Sequence, residues 1–235
     1  MTLAALARRT MESLPPPLRW RTRNAAALAR WLVQRARPAS VPSSYDGEFW
    51  ALHDGGDWDG FARVIARLCT PASMVDVGCG DGKLLAAVRR LSPALPVLGI
   101  DGSAMALERA AAAGVTVWAH DLSSTRSSDV AALVQRIAPF DVVVSLETAE
   151  HLPPWAGARF AASLAEQARL VVFSAAQPGQ GGTLHMNERP PEYWQARFAA
   201  CGFRRAAADA EFGAAVATLD LPWWYAANVH LFERA

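Results

Sequence analysis

The sequence predicts an α/β domain with a parallel sheet and helices on both faces. Three observations carry this reading. From about residue 61, short unbroken apolar runs alternate with longer segments of helical periodicity. A glycine loop, "VDVGCGDGKLL", sits between the first apolar run and its following helix. The 235 residues are 52% hydrophobic and 19% charged, enough to fill one sizeable core and support an added cap.

The elements follow in order. "FARVIARLC" (61–69) reads as helix, "SMVDVG" as strand and "KLLAAVRRL" as helix. Then come strand "PVLGID", helix "AMALERAAAAG", strand "VTVWAHD", helix "DVAALVQRIA" and the buried strand "FDVVVSLE". Helix "RFAASLAEQA", strand "RLVVFSAA", helix "PEYWQARFAACG", a weaker strand after Gly202 and a last strand "NVHLFER" complete the chain. Residues 1–60 are expected to form a helical cap or extension, and residues 61–235 the domain itself. The first 44 residues carry many arginines against the single acid Glu12, and Pro15-Pro16-Pro17 is expected to break them. Ala27, Leu28, Trp31, Leu32 and Arg35 share a helical face. That face reads as packing on the domain, as a lid over a ligand, or as a basic surface for an anionic partner.

A net charge of +1 gives no general reason to expect nucleic acid or membrane as partner. Cys69, Cys79 and Cys201 are too few for a disulfide framework and lack zinc-ligand spacing, so a reducing cytoplasm fits. No stretch approaches the roughly 18 apolar residues of a membrane span.

Gly78, Gly80 and Gly82 allow a tight turn and close backbone approach to a ligand. Their G-x-G-x-G spacing differs from the dinucleotide G-x-G-x-x-G, Asp76 precedes them and Asp81 lies within the loop. Two carboxylates would repel a pyrophosphate but suit a cationic ligand, which argues against a nicotinamide oxidoreductase. The next strands end in Asp101 and Asp121, placed for ribose hydroxyls and an adenine amino group. Each aspartate alone could be a helix cap. Three successive acid-tipped strands around one glycine loop favour a site.

With these residues in view, the chain from about Val75 onward resembles class I S-adenosylmethionine-dependent methyltransferases. The resemblance implies a Rossmann-like seven-stranded sheet whose last strand is antiparallel. It places Asp76, Gly78, Cys79 and Gly80 at the methionyl moiety, Asp101, Gly102 and Ser103 at the ribose, Asp121 and Leu122 at the adenine, and Leu146 beside the cofactor.

The fourth strand runs into "LETAEHLP". A helical turn there would put Glu147, Glu150 and His151 on one face, and two adjacent carboxylates repel unless a proton or metal lies between them. The pattern, with His185 from "GTLHMNERPPEYW", resembles small-RNA 2′-O-methyltransferases and quinone-pathway O-methyltransferases. That resemblance implies Glu147, Glu150, His151 and His185 as ligands of Mg²⁺, Mn²⁺ or Fe²⁺. Glu150, His151 or His185 could instead serve as metal-free general acids or bases. The resulting expectation is O-methylation of a small-molecule hydroxyl, a vicinal diol or catechol above all. Rival readings are RNA- or nucleotide-terminal 2′-O-methylation and a non-catalytic cofactor-binding module. "YDGEFW" (45–50), Trp223, Trp224 and Tyr225 are candidate walls of the acceptor site, and Gln177, Gln180 and Asn187 candidate contacts in a loop loosened by Gly181-Gly182.

Overall fold

A computed structural model describes residues 14–36, 55–138, 140–166 and 168–235. "YDGEFW" lies outside the described residues, as do the arginines at 8 and 9. The elements in order are α1 (Pro16–Arg35), α2 (Trp58–Cys69), β1 (Met74–Val77), α3 (Lys83–Leu91), β2 (Val97–Asp101), α4 (Ala104–Ala112) and β3 (Val117–Ala119). These are followed by α5 (Ser127–Ile137), β4 (Val142–Ser145), a 3₁₀ turn (Ala149–His151), α6 (Pro154–Ala165) and β5 (Leu170–Phe173). The chain ends with α7 (Pro191–Ala200), β6 (Phe203–Arg205), α8 (Asp209–Val216), α9 (Trp223–Asn228) and β7 (His230–Arg234).

The seven strands form one sheet in the order β3-β2-β1-β4-β5-β7-β6. β1 to β5 pair in parallel, while β7 runs antiparallel to both β5 and β6. Strand side chains alternate between two cores. Met74, Val142, Val144 and Val172 pack with α2, α3 and α8. Val75, Val77, Val143, Val171 and Phe173 pack with α5, α6 and α7. Chain order reverses between β1 and β4, and the crevice at such a switch point, outside the strand carboxyl ends, is where open α/β sheets bind ligands.

Several boundaries differ from the sequence reading. Proline at the first helical turn costs no hydrogen bond, so the Pro15–Pro17 run starts α1 instead of breaking it, and Pro154 starts α6 five residues early. Helices α8 and α9 were not anticipated; α9 absorbs the aromatic "WWYAAN". In α1 the buried residues are Asn24 and Ala27, while Leu32, expected on the packed face, is 48% exposed. Among the described residues no helix is long and apolar enough to cross a membrane.

Candidate functional site

One cleft of about 820 Å³ runs along the switch point, in the upper part of the roughly 300–1,000 Å³ range of ligand pockets. Its walls come from the loops after β1 to β5 and from α1 and α9.

One half is the glycine loop and its strand-end neighbours. Gly78 and Cys79 N–H both donate to Ile100 O, at 2.7 and 3.1 Å, which ties the loop across to β2. Gly78 has φ of +86°, and a Cβ there would lie 2.2 Å from Thr148 Oγ1, so this position needs glycine on two counts. Asp101 accepts from Gly80 N–H (3.0 Å) and Ser103 N–H (2.8 Å). Its burial pushes the carboxyl up, against these backbone donors, which pull it down. Asp76 differs: its Oδ1 is buried without a hydrogen-bond partner. Burial, then the charge of Asp101, pushes its pKa up to about 8. Lys83 pairs with Asp81 at 2.9 Å, and Arg35 of α1 pairs with Asp121. Asp121 also accepts from Ser123 N–H (3.0 Å), so the carboxylate expected to face adenine is already engaged by Arg35 and Ser123. The half is rich in carboxylate, which suits a ligand with a sulfonium and an ammonium.

The other half is assembled from β4, the loop after β5 and α9. Glu147 N–H donates to Ser174 O (3.1 Å) and Ser174 Oγ (3.0 Å), which bends the chain out of the strand with Glu147 at φ +48°. The expected helical turn through Glu147 therefore does not form, and only Ala149–His151 make a 3₁₀ turn. Met186 and Asn187 N–H donate to Glu150 O (2.9 and 3.0 Å), drawing His185 against that turn. The His151 and His185 ring centroids lie 4.8 Å apart, nearly perpendicular. Glu150, His151 and His185 each offer a ligand atom within 4.8 Å of the others. Among the described residues neither fully buried Glu150 carboxyl oxygen has a hydrogen-bond partner, a costly state for an acid. Burial and then the Glu147 charge push Glu150 well above the usual carboxylate range. A divalent cation would satisfy this donor set, so the residues fit a carboxylate–imidazole metal site.

Glu147 stands apart from that group of three. Asn228 Nδ2 donates to both its oxygens (3.0 and 3.2 Å), and Gln180 Nε2 to one (2.9 Å). Burial raises its carboxyl, and these donors oppose the rise. Gln180 lines the cleft, whereas Gln177 supports Asn228 from behind at 3.0 Å. Asn187 is buried, bonded to Ala149 O (3.2 Å) and Arg189 Nε (2.9 Å), and does not line the cleft. It is scaffold, which corrects its placement as an acceptor contact. Trp223, Trp224 and Tyr225 do line the cleft, with Trp31, Gln34 and Arg35 of α1 facing it too. Sequence reasoning missed Asn228, Thr148 and Glu188. Only Glu188 had a local signal, a carboxylate three residues after His185.

The family model described as "Methyltransferase domain" matches residues 49–229. A ubiquinone biosynthesis O-methyltransferase of Albidiferax ferrireducens is 33% identical over 136 residues, 55% of this chain and 51% of that protein. The match thus spans about half the length of that curated relative. Among solved structures, DesVI of Streptomyces venezuelae superposes with a TM-score of 0.56 at 16% identity, over 83% of this chain and all of that one. CalS10, a SAM-bound amino pentose methyltransferase from Micromonospora echinaspora, gives 0.56 at 18%, over 85% and 100%. At such identities these two show likeness of fold. The glycine loop, the switch-point cleft and the matched segment agree: the chain belongs to the methyltransferase domain family.

Proposed function

We propose that the chain methylates a hydroxyl of a small molecule, a vicinal diol or catechol, with a divalent cation held by Glu150, His151 and His185. The observation that carries this reading is the buried Glu150 carboxyl, without hydrogen bonds, set against two imidazoles. The name of the 33% identical relative, an O-methyltransferase, supports oxygen as the acceptor atom. Glu147, held by Asn228 and Gln180, is proposed as the acidic neighbour that completes the anionic pocket.

S-adenosylmethionine supplies a methyl group on a sulfonium; the new O–C bond forms as the S–C bond breaks, leaving S-adenosylhomocysteine. On this chain, Asp76 would receive the ammonium, which gives its orphaned Oδ1 a partner. Gly78, Cys79 and Gly80 cradle the methionyl end. Asp101, with Gly102 and Ser103, faces the ribose. Asp121 and Leu122 face the adenine, and Leu146 packs alongside. The acceptor oxygen has to lie in line with the S–C bond, and Trp223, Trp224 and Tyr225 wall the space where it would sit. An alcohol is a poor nucleophile at neutral pH, and a bound divalent cation lowers its pKa. With the cation held by Glu150, His151 and His185, the hydroxyl proton would pass to solvent as its pKa falls; without a cation, His151 or His185 would take it as the O–C bond forms.

The test is transfer of radiolabelled methyl from S-adenosylmethionine to 3,4-dihydroxybenzoate, with Mg²⁺ or with chelator. Product that requires both adjacent hydroxyls and is lost on chelation supports the reading. Chelator-resistant transfer to a monohydroxy compound overturns the metal and the diol together.

A further inference from the structure

We propose that Asn24, on a helix outside the segment matched by the family model, is a positioning residue for His185. The inference rests on the reading of His185 as an acceptor-site group.

Helix α1 is seated in an unusual way. Of its 20 residues only Asn24 and Ala27 are buried, while Leu18, Leu32 and Val33 are 46%, 48% and 54% exposed. A helix docked for apolar burial would hide the leucines and leave the amide in water. Here the order is inverted, and a buried amide is tolerated only when hydrogen-bonded. With its amide oriented to satisfy its neighbours, Asn24 Nδ2 donates to His185 O (3.1 Å) and Trp20 O (3.3 Å), and Oδ1 accepts from Glu188 N–H (3.0 Å).

One side chain therefore grips both ends of the turn His185–Glu188. Inside that turn the two side chains close on each other, His185 Nδ1 to Glu188 Oε1 at 3.3 Å. Glu188, 1% exposed, also accepts from Gly179 N–H (2.9 Å) and Gly181 N–H (2.7 Å). Arg23, beside Asn24, donates to Gly179 O at 3.1 Å. Residues 23 and 24 thus fasten the whole loop that presents His185. With Nδ1 turned to Glu188, Nε2 is the nitrogen left to serve the cleft. It lies against Gly182, where a Cβ would sit 2.2 Å away. A carboxylate or carbonyl on one ring nitrogen is what fixes the tautomer and direction of a working histidine. Asn24 acts one step behind that, by holding the backbone on which both partners ride.

The experiment uses the full chain, labelled with ¹⁵N-histidine and saturated with S-adenosylhomocysteine, at pH 8. Long-range ¹H–¹⁵N spectra report the ring nitrogens of the five histidines, and His185 is identified by its loss in His185→Gln. The wild type is expected to show two well-separated His185 nitrogens, with the proton on Nδ1. Asn24→Ala draws the two resonances toward a common average, and Leu32→Ala, on the exposed side of the same helix, leaves them apart. Asn24→Asp keeps the acceptor for Glu188 N–H and loses the donor to His185 O, so it falls between; it also carries the comparison if Asn24→Ala does not fold. An Asn24→Ala spectrum like the wild type, with only a lower melting temperature, overturns the proposal in favour of plain anchoring. Adding Mg²⁺ to the wild type separates the two readings: an unmoved Nε2 resonance counts against the metal and leaves the Asn24 comparison intact.

Discussion

The two halves of the cleft solve opposite problems. In the glycine-loop half, Asp101 is met by backbone donors from Gly80 and Ser103, and Asp121 by Ser123 and Arg35. Among the described residues Asp76 keeps a buried oxygen without a partner there. In the other half, Glu147 takes three side-chain amide hydrogen bonds, while Glu150, three residues on, takes none. The first half satisfies its acids within the fold apart from Asp76 Oδ1. The second holds an uncompensated acid beside two imidazoles. Strain follows the same division: of the three described non-glycine residues at positive φ, Glu147 and Leu184 both belong to the second half. A cofactor seat of satisfied acids beside an acceptor seat holding an unsatisfied one is the arrangement that the proposed function would use for differential binding, since the second would be relieved by what it binds.

The comparison can be broken most forcefully at the hinge between the halves. Gly78→Ala puts a methyl 2.2 Å from Thr148 Oγ1 at φ +86°. Left-handed strain of about 1–2 kcal/mol plus the clash should weaken S-adenosylhomocysteine binding at least roughly tenfold, measured by calorimetry. Binding within twofold of wild type would mean that the loop gives way easily.

The next effect sets two neighbours of one acid pair against each other. Asn228→Ala strips donors from half-buried Glu147 and should lower unfolding stability by about 1–3 kcal/mol in urea. Glu150→Gln removes a repelled, unpartnered carboxyl and should raise the stability of chelator-treated protein, by about 1 kcal/mol. Opposite signs sharpen the contrast; a large loss in both would erase it.

Asp76 gives a pH signature for the first half. Its pKa of about 8 lies above the ordinary value of 3.8, so the folded state holds a proton that the unfolded state releases. Stability of the cofactor-free protein therefore falls as pH rises from about 4 to about 8, in proportion to that difference. At pH 7 the ammonium of S-adenosylhomocysteine should expel this proton. Titrations in buffers of different ionisation enthalpy should show release approaching one proton, lost in Asp76→Asn. Proton uptake instead would place another group under the ammonium.

The smallest effect is at α1. Arg35 and Asp121 are both about half exposed, so Arg35→Ala should change S-adenosylhomocysteine affinity by at most about 1 kcal/mol, less at high salt.

The same division explains what was legible in the chain. Asp76, Gly78, Asp101 and Asp121, which line the cleft, were legible because each lies in or just after a strand whose apolar run announces it. The core helices were legible by period, and α3 begins and ends where its pattern does. Glu150, His151 and His185 were found as a cluster by residue type. The turn that carries them was misread, because the bend at Glu147 is imposed by Ser174, 27 residues away. Asn228 reaches Glu147 across 81 residues, and Asn24 reaches His185 from a separate helix. Neither has a local pattern. In α1 the periodicity pointed to Leu32, and the buried amide won because its hydrogen bonds lie in the tertiary structure.

The central claim is that the acceptor half holds a divalent cation. It is tested most directly by calorimetric titration of Mg²⁺ and Mn²⁺ into protein saturated with S-adenosylhomocysteine, beside Glu150→Gln and His185→Ala. The account predicts binding near one equivalent in the wild type and none in either variant. No binding by the wild type, or binding that survives both substitutions, would contradict it.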